Sequence, residues 1–140
     1  MPDKTFRLEI VTPDRMVIGD DTVTSVVVPG SEGYMGILVH HAPLLAELTV
    51  GQIDIKRADG SETAIATSGG FMEVSANKVI VLADTAELAE EIDTTRAEEA
   101  VRRAKERLQR SNEAEVDAAR AESALSRAAN RLHVAERVAR

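Results

Sequence analysis

All eight glycines, all four prolines and all three aromatic residues of this chain fall in residues 1–84, and none falls in residues 85–140. A stretch without helix breakers that carries 14 alanines reads as helix. The stretch before it, broken every few residues by Gly or Pro, reads as short strands. The expected architecture is α+β. An N-terminal all-β sandwich or flattened barrel of eight to ten short strands occupies residues 1–84, and a C-terminal antiparallel two-helix hairpin occupies residues 85–140. At 140 residues the chain holds one domain or two small ones.

Period-two patterning marks the strands. Phe6, Leu8 and Ile10 share one face, with Arg7 and Glu9 on the other. The run Val23 to Val28 is rich in β-branched residues and closes at Pro29-Gly30. Ile53 and Ile55 alternate with polar neighbours up to Asp59-Gly60, the strongest hairpin signal in the chain. Glu62 to Ser68 returns from it, and Ala76-Asn77 turns the run Phe71 to Ser75 into Val79 to Ala83. Gly33, Gly36, Gly51, Gly69 and Gly70 suit turns, bulges and close strand approach. No helix start follows them, so they do not form a phosphate cradle.

Beyond residue 85 the period becomes 3.6. Asp93 is suited to cap a helix running to about Arg110, with Ala97, Ala100, Val101, Ala104 and Leu108 as its apolar stripe. Ser111-Asn112 breaks it, and Asn112 with Glu115 resembles a capping box for a second helix. That helix spaces Ala121, Leu125, Ala128, Leu132, Ala135 and Ala139 as a coiled-coil seam. Such an alanine seam buries little apolar area, and an isolated helix pair is marginal in water. The expected arm docks on the β-domain and is able to leave it.

The formal charge of −7 and the lack of a basic tail argue against nucleic acid or anionic lipid as partner. The absence of cysteine excludes disulfides and thiolate chemistry. No apolar run reaches the roughly 18 residues of a spanning helix, and the start has no signal-peptide core. The chain is expected to be soluble and cytosolic, and membrane-associated only through a partner. Walker, HExxH, GxSxG and GxGxxG motifs are absent, so no catalytic residue is assigned. Adjacent His40 and His41 lack a third ligand at a suitable spacing, and no metal site is assigned.

The hairpin arginines are less ordinary. With the turn centred between Ser111 and Asn112, Arg96 comes opposite Arg127, Ile92 opposite Arg131 and Arg103 opposite Arg120. Spacing of four residues suits the pairs Glu98–Arg102, Glu99–Arg103 and Glu106–Arg110. Arg127 and Arg131 have no acid three or four residues away. With Arg96 they call for an anion: Asp93 and Glu87, the acidic surface of another subunit, or a polyphosphate. Charge alone does not choose among the three.

Six blocks carry a resemblance: Ile10-Val11-Thr12-Pro13-Asp14, Gly33-Tyr34-Met35-Gly36-Ile37-Leu38, His41-Ala42-Pro43-Leu44-Leu45, Ser68-Gly69-Gly70-Phe71-Met72-Glu73-Val74, Val81-Leu82-Ala83-Asp84-Thr85-Ala86 and Ile92-Asp93-Thr94-Thr95-Arg96-Ala97. In this order, before an Ala-rich helical pair, they resemble the epsilon-subunit family of the bacterial F-type ATP synthase. The resemblance implies a non-catalytic rotor subunit, peripheral at the cytoplasmic face of the cell membrane. Its implied partners are the gamma subunit and the ring of c subunits, met here through Glu32, Gly33, Tyr34, Met35 and His41. The alpha and beta subunits join them when the arm extends and blocks ATP hydrolysis. It requires no cofactor, but ATP is implied as a regulatory ligand of some members. The matching positions are Ile92, Asp93, Arg96 and Ala97, with Glu87, Arg103, Arg127 and Arg131 as further contacts. The chain departs from the family at Tyr34, where an acid or amide is usual, and at His40, where glycine is usual.

Overall fold

The computed structural model describes residues 4–110, 112 and 117–138. Nine strands come first: β1 (Phe6–Val11), β2 (Met16–Gly30), β3 (Gly33–Leu38), β4 (Leu44–Leu48), β5 (Gly51–Arg57), β6 (Glu62–Thr67), β7 (Gly70–Ser75), β8 (Lys78–Ala83) and β9 (Ala86–Leu88). A single 3-10 turn (Ala89–Glu91) leads to helices α1 (Thr94–Gln109) and α2 (Ala118–Val138).

The chain divides into two compact units, at Leu88 and Ala89. That is four residues beyond the division read from composition. Residues 86–88 pair with β6, Ile65 opposite Leu88 and Thr67 opposite Ala86, so strand geometry outlasts the last glycine and proline. Backbone pairing requires no breaker residue, and composition therefore does not register it.

In the first unit the ladder runs β1-β8-β7-β4-β2-β5-β6-β9, with β3 also on β2. Because β1 pairs with both β8 and β2, the hydrogen-bonded path closes on itself. The long strand β2 makes this possible. Its first half pairs with β1, its second half with β3 and β5, and its tip, at Gly30, with Leu48 of β4. Register shifts against both β1 and β5 bend it between the two layers. The strand ends at Pro29-Gly30, where the sequence pattern closes it, and the Pro29 carbonyl accepts the Thr49 amide at 2.9 Å.

The alternating residues meet between the layers. Leu8, Ile10, Val23, Val26, Ile53, Ile55, Ile65, Met72 and Val81 are all fully buried. The Asp59-Gly60 turn sets β5 against β6 with Ile53 opposite Ile65. Ala76 and Asn77 form the β7–β8 turn with φ of 49° and 58°. The Asn77 carboxamide ties three segments together, accepting the His40 amide at 2.8 Å and donating to the Thr5 carbonyl at 3.0 Å. His40 itself has φ 60°, which is the physical reason glycine suits this position.

In the second unit Asp93 caps α1, its carboxylate accepting the Arg96 amide at 3.0 Å. Helix α2 starts behind Asp117, which accepts the Arg120 amide at 3.0 Å. The capping box of Asn112 and Glu115 falls partly on residues outside those described. Ala97 and Ala104 are buried on α1, and Ala121, Ala128, Val134 and Ala135 on α2. Leu125 and Leu132 are only half-buried.

Candidate functional site

Two regions carry features that folding alone does not require. The first is the outer face of the layer formed by β4, β7, β8 and β1. Strand pairing sets Met16 opposite Val11, Val11 beside Leu82, Leu82 opposite Phe71 and Phe71 opposite Glu47. Residues directly opposite in a sheet point to the same side, so these form one row across the face. Met16 is 51% exposed, Leu82 58% and Phe71 55%, and Leu45, on the next row of β4, is 73% exposed. The neighbouring row carries acids, with Glu73 opposite Leu45 and Glu9 beside Ile80. An apolar band of this kind rimmed by carboxylates has the composition of a protein interface.

Sequence patterning missed this face. Val11, Phe71 and Leu82 alternate with buried neighbours, so each reads as an ordinary outward position with an unsuitable residue. Only the register across four strands lines them up. The signal that was legible is that Phe71 of β7 and Ile80 and Leu82 of β8 are apolar at outward positions, where polar side chains would be expected.

The residues expected to dock partners lie on the β2–β3 turn and in the loop after β3. Glu32, Gly33 and Tyr34 are exposed, while Met35 and His41 are half-buried. The Tyr34 hydroxyl accepts the Gln52 amide at 3.2 Å. Its ring reaches past Pro29 to the α-carbon of Gly51, where a Cβ would stand 2.9 Å from the hydroxyl and 2.5 Å from Pro29. Gly51 is therefore glycine because Tyr34 and Pro29 occupy its side-chain space. His41 keeps its ring Nδ1 2.7 Å from the Ala42 carbonyl.

The second region is the hairpin. Arg96, Arg103 and Arg127 are exposed, and no ion pair to them forms among the described residues. Among the described residues the helices carry an ion pair between Arg102 and Glu106 at 3.8 Å. With both side chains largely exposed it contributes little to stability. Asp93 is committed through one oxygen to capping α1. Ile92 and Ala97 are buried, so their side chains serve the packing of the hairpin. Arg131 is half-buried. Glu87 lies in the first unit, on β9 opposite Ala66.

On the two helices the buried alanines are Ala97 and Ala104 of α1 and Ala121, Ala128 and Ala135 of α2. Among the described residues, no three His, Asp or Glu side chains are placed to hold a metal ion.

The family model for the delta/epsilon chain of ATP synthase, beta-sandwich domain, matches residues 5–89. The long alpha-helix domain of the same chain matches residues 90–136. The chain belongs to the ATP synthase delta/epsilon family. An ATP synthase epsilon chain of Pelotomaculum thermopropionicum is 55% identical over 108 residues, covering 77% of this chain and 79% of that one. The epsilon chain of Carboxydothermus hydrogenoformans is 51% identical over 110 residues, 79% of this chain and 80% of that one. A chain in the cryo-EM structure of the Euglena gracilis mitochondrial ATP synthase (OSCP/F1/c-ring) shares the fold. Its TM-score is 0.79 at 24% identity, covering 90% of this chain and 78% of that chain. The family boundary at residues 89 and 90 falls one residue from the division between the two units. Among the described residues no helix is long and apolar enough to cross a membrane.

Proposed function

We propose that this chain is a non-catalytic subunit of the central stalk of an F-type ATP synthase, held peripherally at the cytoplasmic face of the membrane by its partners. The β-domain docks on the gamma subunit and the c-ring, coupling proton flow to ATP synthesis. The hairpin meets the alpha and beta subunits when it extends, and restrains ATP hydrolysis. Family membership sets the complex, and the apolar row Met16, Val11, Leu82 and Phe71 carries the docking reading. Large apolar side chains more than half exposed at the centre of a face lose little on folding and gain on burial in a partner.

The test is reconstitution of an ATP synthase depleted of this subunit. Phe71→Glu with Leu82→Glu leaves the isolated fold intact, because both side chains are exposed. It abolishes incorporation into the complex. Full incorporation of the double variant would refute the docking reading. For the arm, removal of residues 89–140 from the reconstituted subunit should raise ATP hydrolysis, and an unchanged rate would count against restraint by the hairpin.

A second reading makes the hairpin an ATP sensor. It is favoured by the exposed arginines Arg96, Arg103 and Arg127, which lack ion pairs among the described residues, on the element where Ile92, Asp93 and Ala97 complete the family pattern. Arg131 and Glu87 complete the proposed contact set. Calorimetric titration of ATP into the whole chain tests it. Binding that Arg127→Ala with Arg131→Ala removes supports sensing, whereas no heat with the wild type excludes it.

A further inference from the structure

Met16 stands at one end of the apolar row, and it differs from the other methionines among the described residues. It is 51% exposed, whereas Met35 is half-buried against the core and Met72 is fully buried. Its thioether lies over Gly19, which pairs with Glu9 of β1. A Cβ on Gly19 would stand 2.9 Å from Met16 Sδ and 3.3 Å from Arg7 Nη2, so the sulfur and the guanidinium border the same space. Ion pairs hold that guanidinium in place. Its Nη1 is 3.2 Å from Asp21 and its Nε 3.7 Å from Glu9, whose carboxylate is also 3.0 Å from Lys78 Nζ. An exposed thioether is open to two-electron oxidants, and the sulfoxide it gives is polar and accepts hydrogen bonds. At Met16 a cationic donor stands beside the sulfur.

We propose that Met16 is a site of reversible oxidation that sets whether the free subunit can dock. A peroxide gives one oxygen atom to Sδ: the O–O bond breaks and an S–O bond forms. The sulfur is oxidised by two electrons, and hydrogen peroxide is reduced to water. The sulfoxide puts a dipole at the end of the row Met16, Val11, Leu82 and Phe71, where Arg7 favours its oxygen. Docking must then bury a polar group that holds water and a guanidinium, instead of covering apolar surface. Met72 is shielded by the core, so oxidation at Met16 leaves the fold intact. The proposal rests on the docking reading above and adds its regulation.

The test treats the free whole chain with hydrogen peroxide, maps the oxidised peptides by mass spectrometry, and measures binding to an ATP synthase depleted of this subunit. Met16 should oxidise at least about tenfold faster than Met72. The oxidised subunit should bind about tenfold more weakly, and methionine sulfoxide reductase should restore its affinity. Met16→Leu keeps apolar surface without the thioether and should bind equally before and after peroxide, which separates Met16 from the other methionines. Phe71→Glu serves as the control for docking itself. Suppose it abolishes binding, but peroxide leaves the wild type unchanged or weakens Met16→Leu equally. The assignment of Met16 is then overturned and the docking reading stands. Oxidation of Met72 as fast as Met16 overturns the assignment too. If Phe71→Glu binds like the wild type, the docking reading fails and control of docking by Met16 fails with it.

Discussion

Gly70 and Gly36 both lie in blocks shared with the family, yet the structure gives them opposite consequences. Gly70 begins β7 at φ 142° opposite Ala83. A Cβ there would stand 2.9 Å from the Ala83 α-carbon and 3.0 Å from the Leu82 carbonyl carbon, and closer still to the Leu82 oxygen. All three are backbone atoms of the neighbouring strand, so no rotamer relieves the clash. The backbone strain costs about 1–3 kcal/mol, and forcing the strands apart costs about 1–3 kcal/mol more. Gly70→Ala should therefore lose about 2–6 kcal/mol, a large share of the roughly 5–15 kcal/mol typical of a domain. A Cβ added at Gly36 would meet no heavy atom within 4 Å, and the φ of this residue is not positive. Gly36→Ala should be neutral or stabilising by up to about 1 kcal/mol, through a less flexible unfolded chain. Urea titration followed by tyrosine fluorescence measures both, because Tyr34 is the chain's one tyrosine, there is no tryptophan, and it reports on the β-domain. A loss below about 1 kcal/mol for Gly70→Ala, or equal losses for the two, would refute the steric reasoning.

Three further outcomes are expected. Burial pushes the Asp20 carboxyl up, but the Thr22 hydroxyl at 2.6 Å, Arg57 at 2.7 Å and the Thr22 amide at 2.7 Å outweigh it and hold it below its ordinary 3.8. Its stabilisation is complete above that ordinary value and is lost as pH falls through the lower folded value, so acid titration of Asp20→Asn should show a shallower fall in stability there than the wild type. Ala76→Gly should stabilise by about 1 kcal/mol in urea melts by relieving an alanine at φ 49°. Val134→Ala should cost about 2 kcal/mol of helical stability by circular dichroism at 222 nm, because Val134 is fully buried, and more than Leu132→Ala, whose side chain is half-buried.

The sequence by itself determined that a β half precedes a helical half, because backbone sterics act locally, although it placed residues 86–88 on the helical side and they form β9. Glycine, proline and β-branching up to residue 84, and alanine periodicity beyond, mark the change of period. It also marked Asp93 as a cap, the Asp59-Gly60 and Ala76-Asn77 turns, and the alanine seam, all features that depend on neighbours a few residues apart. Only the tertiary structure decided that β2 serves two layers and that β9 joins β6. It alone aligned Met16, Val11, Leu82 and Phe71 into one row across the sheet. Those residues are up to 71 positions apart along the chain. Strand register, set by long-range hydrogen bonds and the burial of the opposite faces, brings them together, and no local pattern encodes it.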